Sequence, residues 1–228
     1  MQQTTLRQIL DDRAARRPVV LATNLMSGDE SILYPIDGDE KSDLVIEAAS
    51  AIHADKSRTV ETPNGPVFLH VFNPPLRMIL IGAVHISQPL ARMAALAGYE
   101  VVVVDPRRAF ASAARFPGVE VRTDWPDEAL EDLAPNLRTA VVTLTHDPKL
   151  DDPALHVALR SDAFYIGSLG SKKTHGTRVE RLTEAGFDED TIGRILGPVG
   201  LSIGATSPAE IAVAILAQIT DVLRHPGT

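Results

Sequence analysis

The stretch YIGSLGSKKTHGTR, from Tyr165 to Arg178, gathers residue types that hold anions. Gly167, Ser168, Gly170 and Ser171 form a small-residue loop after a short apolar run. A helical pattern then carries Lys172, Lys173, His175 and Arg178 in its first turns. Exposed backbone N–H groups, hydroxyls, a helix start and cations together make an anion site. The lysines oppose the helix dipole, a mismatch that a bound anion relieves. The spacing G-x-x-x-x-G-K-[ST] of a triphosphate-binding loop is not met. The plain alternative is a flexible loop leading into a basic solvent face.

Three other stretches carry candidate chemistry. In TLTHDPKLDDPAL, Thr145, His146 and Asp147 leave the end of a long apolar run. A His–Asp pair at such an end can bind a ligand's polar edge, hold a water or take part in acid–base work. Adding Asp151 makes a carboxylate–imidazole cluster, but its spacing matches no specific metal signature, and no metal is expected. Asp152 followed by Pro153 reads as a helix cap and first-turn proline. In MILIGAVHIS, Gly82 makes the bend of a dinucleotide turn, while Val84 and Ser87 stand where the second and third glycines of G-x-G-x-x-G belong. His85 falls in the first helical turn, facing a ligand or water. Asp105 lies 23 residues beyond Gly82, where a ribose-binding acid belongs, and Arg107 and Arg108 follow it. An arginine there can meet a phosphate. Gly82 and Ser87 serve either packing alone or a ligand. In GPVGLSIGATSPAE, Gly197, Gly200 and Gly204 either bring backbone close to a planar or phosphorylated ligand or simply turn the chain.

The elements that must position these residues fall into two groups. Leu6, Ile9 and Leu10 predict a short helix that Pro18 ends. VVLATNL and ILYPI read as strands, residues 44–52 as a helix, and SRTVET and VFLHVF as a hairpin around PNGP. This is a small α+β unit over residues 1–74, ending at the paired prolines of NPPL. Apolar runs then alternate with helical patterns: 78–82, helix 85–97, 100–105, helix near 108–114, 119–122, helix 127–133, 138–145, helix 153–160, 163–167 and helix 173–185. That alternation predicts parallel strands with right-handed crossovers. VVVVD and TAVVTLT are unbroken runs suited to strands covered on both faces. Residues 75–228 are therefore expected to form a Rossmann-type, doubly wound parallel sheet of the α/β class. Ser207, Pro208 and Glu210 mark a capped last helix with Ile211, Ile215, Ile219 and Val222 as its buried stripe.

Composition narrows the function. The 228 residues carry 30 acidic against 22 Lys and Arg side chains, a net charge of -8. Nucleic acid and anionic membrane are poor partners for that balance. The chain has no cysteine, which removes disulfides, thiolate nucleophiles and cysteine-ligated zinc together. No apolar run reaches membrane-spanning length. The opening residues are too polar for a secretory signal, so a soluble cytoplasmic protein is the expectation.

Taken in order, GAVHISQPLARMAALAGYEVVVVDPR, RFPGV, LTHDPKLDDPAL, YIGSLGSKKTH and GPVGLSIGATSPAEIAVAILAQI resemble the xanthine dehydrogenase accessory family of the XdhC/CoxI type. The resemblance covers about residues 77–220 closely. It implies a Rossmann-type domain joined to a smaller N-terminal domain. The implied role is to bind molybdenum cofactor, a phosphorylated pterin dithiolene, protect it while its sulfido ligand is added, and pass it to an apo molybdenum hydroxylase. On that reading Gly82, His85, Asp105, Arg107, Thr145, His146, Asp147, Gly167, Ser168, Gly170, Ser171, Lys172, Lys173, Gly200 and Gly204 line the cofactor site. The protein then works as a maturation factor without net turnover. A chain without cysteine cannot carry persulfide sulfur, so a separate cysteine desulfurase becomes a second partner. The resemblance also admits a homodimer. Members of the family often carry a GGC-like segment where NLMSGDESILYPIDGDE stands here, and Asp where Ser202 stands. The alternative is an NAD(P)-dependent oxidoreductase with Asp105 on the ribose and His146 near the chemistry, against which Val84 argues.

Overall fold

Paired prolines at Pro74 and Pro75 mark the division of the chain into two compact units. The computed structural model describes residues 3–36 and 42–225. In the first unit, α1 (Gln3–Ala14), β1 (Val19–Asn24), β2 (Glu30–Leu33), α2 (Asp43–Ala54), β3 (Arg58–Thr62) and β4 (Gly65–Phe72) build an antiparallel sheet of order β2-β1-β4-β3. Alternation along β1 sends Val20 and Ala22 toward Ala48 and Ile52 of α2, and Val19 and Leu21 toward Ile9 of α1. Of the apolar stripe expected on α1, only Ile9 is buried, whereas Leu6 and Leu10 are exposed. Asp12 takes a buried place on that helix instead, accepting from Tyr34 Oη at 2.9 Å and Gln8 Nε2 at 3.2 Å. Residues 37–40 of the cysteine-free segment lie outside the described residues.

The second unit comprises β5 (Arg77–Ile81), α3 (Ser87–Leu96), β6 (Glu100–Val104), β7 (Glu120–Arg122), α4 (Pro126–Leu133), β8 (Thr139–Thr143), α5 (Pro148–Arg160), β9 (Tyr165–Ser168), α6 (Lys172–Glu184), α7 (Glu189–Gly193), β10 (Ile195–Leu196) and α8 (Pro208–Arg224). Its six strands are all parallel, in the order β7-β6-β5-β8-β9-β10. Numbered from β5, this is the 3-2-1-4-5-6 order of the Rossmann fold, with the switch point between β5 and β8. The unbroken run MILI is explained by burial on both faces. Met78 and Leu80 pack with residues of α3 and α8, and Ile79 and Ile81 with residues of α4, α5 and α6.

Two expected helices differ. No helix forms near 108–114; that segment is a run of turns, held by Arg115 Nη1 donating to the carbonyls of Ala83 and Phe110, both at 2.7 Å. Phe116, 2% exposed, anchors the end of the run in the core. Helix α5 starts at Pro148 rather than 153, because Asp147 is its N-cap and accepts from the Lys149 N–H at 3.0 Å. Asp152 caps nothing and instead receives Arg181 in a bidentate pair at 2.6 and 2.9 Å.

The last helix is as its sequence reads, with the Ser207–Glu210 capping box in place and Ile215 and Ile219 buried. Ile211 and Val222 are half-buried against the same core. Among the described residues no helix is long and apolar enough to cross a membrane. Gln218 ties α8 to the sheet: its Oε1 accepts from the hydroxyl of buried Tyr165 at 2.6 Å and from the Gly200 N–H at 2.8 Å. Replacing this acceptor strands a buried hydroxyl. Gln218→Leu is expected to cost about 2 kcal/mol in urea unfolding with an unchanged slope.

Candidate functional site

Parallel sheets of this order place ligands at the carboxyl ends of their strands, beside the switch point. There Gly82 follows β5 at φ +109°, and a Cβ on it would meet Thr145 Cγ2 at 2.6 Å. Glycine is thus required both by the left-handed backbone and by the close approach of the loop after β8. Ser87, fully buried, donates its hydroxyl to the Gly82 carbonyl and closes the turn on itself. His85 lies in the turn before α3 rather than in its first helical turn, and is exposed.

Asp105 is fully buried, and its oxygens are already engaged. The Ala83 N–H reaches Oδ2 at 2.8 Å and the Arg107 N–H reaches Oδ1 at 3.0 Å, while the Arg107 guanidinium bonds both oxygens at 2.9 and 2.8 Å. Burial pushes this carboxyl up. The guanidinium and the two backbone donors outweigh it and hold it below the usual carboxylate range. Asp105 therefore orients Arg107 and does not offer a free carboxylate to a ribose. Arg107 feels the charges of Asp147 and Asp151 across the crevice, and its guanidinium lies 4.8 Å from the Phe110 ring centroid.

The loop after β8 is organised by Asp151, which is 2% exposed. Its carboxylate accepts from Thr145 Oγ1 at 2.7 Å, the Thr145 N–H at 3.3 Å and the His146 N–H at 3.1 Å. Burial still pushes the Asp151 carboxyl above its ordinary value. Under this grip His146 takes φ +62°, an uncommon conformation for a non-glycine residue, and its side chain stays exposed.

Helix α6 meets that loop. Ser171 is its N-cap, accepting from the Thr174 N–H at 3.1 Å. Gly170 allows the approach, since a Cβ there would stand 3.1 Å from Thr174 Cβ. Thr174, Thr177, Arg178 and Arg181 follow at helical spacing on one face. With Lys173 they border a cavity of about 250 Å³ whose other wall is His146, Pro148 and Asp151. Arg178 is 2% exposed. Its Nη2 donates to the Leu169 carbonyl at 2.9 Å and its Nη1 lies 3.4 Å from His175 Nδ1. Burial and the neighbouring guanidinium push the His175 imidazole down, which keeps it neutral beside that charge.

The structure thus brings His146 and Lys173 to one cavity, and places Gly82 against Thr145, with Arg107 facing the same loop. Asp147 is occupied as a helix cap. Gly167 and Ser168 belong to strand β9 rather than to a loop, and both are buried. A Cβ on Gly167 would meet Val199 at 2.6 Å, and the Ser168 hydroxyl pairs with Thr143 Oγ1 at 2.5 Å, so packing explains both. Gly200 packs on α8, where a Cβ would stand 3.2 Å from that of Ala214. Gly204 is exposed, and Lys172 is exposed without bordering the cavity. Thr174, Thr177 and Arg181 escape a reading confined to the glycine loop, though their spacing with Arg178 is that of a single helix face. No group able to hold a metal ion occurs among the described residues.

Comparisons with known proteins agree with this architecture. The family model of the XdhC Rossmann domain matches residues 78–219. The chain is 33% identical over 173 residues to a probable xanthine dehydrogenase subunit of Bacillus subtilis, covering 72% of this chain and 50% of that protein. It is 31% identical over 154 residues to the molybdenum cofactor insertion chaperone PaoD of Escherichia coli, covering 68% and 42%. A crystal structure described as a xanthine dehydrogenase from Bacillus halodurans superposes with a TM-score of 0.67 at 28% identity, covering 99% of this chain and 65% of that one. The chain spans about half the length, or less, of these curated relatives. It belongs to the XdhC family.

The Asp105–Arg107 pair carries a pH signature. A folded-state value below the unfolded one means stability that is present above the usual carboxylate range and lost as pH falls through the lowered value. Asp105→Asn is expected to cost about 1–2 kcal/mol at neutral pH, discounted for the partly exposed guanidinium. In denaturant titrations its gap from the parent protein should close below about pH 4.

Proposed function

We propose that this XdhC-family chain is a maturation factor that carries molybdenum cofactor to an apo molybdenum hydroxylase and does not itself turn over substrate. The observation that carries this reading is the convergence, in an XdhC Rossmann domain, of the loop after β8 and the lysine-bearing start of α6 on one cavity. The cargo is a phosphorylated pterin that holds its metal on a dithiolene. A buried guanidinium at the cavity, with Nε lacking a partner, fits such an anion. Lys173 and Arg178 supply positive field in a chain of net charge -8. His146 offers an imidazole at the rim, and Arg107, held on Asp105, a guanidinium across the crevice. Thr145, Gly82 and Asp105 act by positioning these groups.

Two partners follow from the chemistry of the cargo. The acceptor is the hydroxylase that needs it, and the sulfur donor is a cysteine desulfurase, since this chain contains no cysteine. An NAD(P) oxidoreductase is not favoured: Val84 stands where the second glycine of the dinucleotide turn belongs, and the acid that would hold a ribose is buried and fully bonded.

Anaerobic purification after co-expression with the cofactor pathway, followed by mass spectrometry of the released ligand, tests the reading. A pterin should be recovered in stoichiometric yield, and its absence would overturn the proposal. His146→Ala should retain about fivefold less cofactor, the loss of about 1 kcal/mol, with an unchanged melting temperature.

A further inference from the structure

We propose that the cavity between the loop after β8 and α6 is the seat of a phosphate monoester, with Arg178 as its buried counter-charge and Lys173 as its outer clamp. This rests on the carrier reading above and adds which part of the cargo meets which wall.

Arg178 lacks the partner that its burial demands. Arg107 sits on Asp105, Arg122 on Glu120 and Asp132, and Arg181 on Asp152. Each of those guanidiniums keeps some contact with solvent. Arg178 is 2% exposed, yet among the described residues it meets only a carbonyl and a neutral imidazole, and its Nε has no partner. Asp151 and Asp152 act on it through space, without an ion pair. Asp152 is already held by Arg181. Asp151 has its oxygens turned to the Thr145 and His146 donors. A buried charge left this way is costly, and such a cost persists where a ligand supplies the missing charge.

Three further features select the ligand. The cavity, about 250 Å³, is smaller than the roughly 300 Å³ at which pockets for whole drug-sized ligands begin. It therefore takes a phosphate group with its water and leaves a pterin ring outside. Its hydroxyls, on Thr174 and Thr177, and its exposed ammonium, on Lys173, lie along the first two turns of a 13-residue helix with no acidic residue in its first turn. Finally, once Arg181 is set against Asp152, two cations, Arg178 and Lys173, border the cavity against one carboxylate, Asp151, which leaves net positive charge there. A terminal phosphate monoester, largely a dianion near neutral pH, is held by that field more strongly than a singly charged diester.

The full chain is titrated by calorimetry and followed by melting temperature at constant ionic strength, with phenyl phosphate and dimethyl phosphate as probes. Phenyl phosphate should bind and raise the melting temperature, and dimethyl phosphate should bind at least tenfold more weakly. Lys173→Ala should weaken phenyl phosphate about tenfold, whereas Lys172→Ala, beside it but outside the cavity, should not. Arg178→Met should melt at or above the parent temperature without probe and show no shift with it. Lys173→Ala keeps the test decisive if Arg178→Met does not fold. Equal affinity for the two probes, equal effects of the two lysine substitutions, or no response to phenyl phosphate beyond that to chloride would overturn the seat. Cofactor retention, measured on the same preparations, separates this from the carrier reading. A protein that retains pterin but ignores phenyl phosphate refutes the seat alone. One that binds phenyl phosphate but carries no pterin refutes the carrier reading and leaves the seat standing.

Discussion

One buried carboxylate fixes the geometry of the candidate site. Asp151 lies in α5, yet its hydrogen bonds run back to Thr145 and His146, the residues that leave β8. Those bonds bend the chain through a left-handed residue and aim His146 at α6. They also hold Thr145 against Gly82, which brings the ends of β5 and β8 together at the switch point. Without that carboxylate the Thr145 and His146 amides would need other acceptors, and both the crevice and the cavity would lose a wall.

The charges around this frame include carboxylate–guanidinium pairs and one buried guanidinium with no carboxylate bonded to it. Asp105 is buried with Arg107 clamped on it, so the position that holds a ribose in dinucleotide enzymes serves here to orient a cation. Arg181 is likewise neutralised by Asp152. Arg178 stands apart, buried on a carbonyl and an imidazole. In a chain of net negative charge, unmatched positive field at one cavity gives an anionic cargo a reason to sit there.

Much of the fold is legible in the sequence because its cause is periodic. Unbroken runs such as MILI and VVVV can only be covered on both faces, and alternating them with helical patterns leaves few topologies. Cap chemistry is unambiguous at Ser207, where it stands alone, and misleading at Asp152, where Asp147–Pro148 five residues earlier carries the same signature. The helix expected near residue 108 does not form because the Arg115 guanidinium takes up carbonyls in a turn run, a contact that local propensity does not encode. For the site, residue type finds the loops but not the side-chain directions. Gly167 and Ser168 look like a ligand loop, but strand pairing extends through them and Tyr165 and Val199 fill the space. Arg178 is visible among the cations of its segment, but its burial depends on Leu169 and His175 folding over it.

Cargo held between the loop after β8 and the start of α6 is the central claim. Amide hydrogen exchange on the cofactor-loaded and cofactor-free protein tests it most directly. Exchange in peptides covering 145–152 and 169–178 should slow on loading. Unchanged exchange in both, with protection confined to other segments such as 197–206, would contradict it.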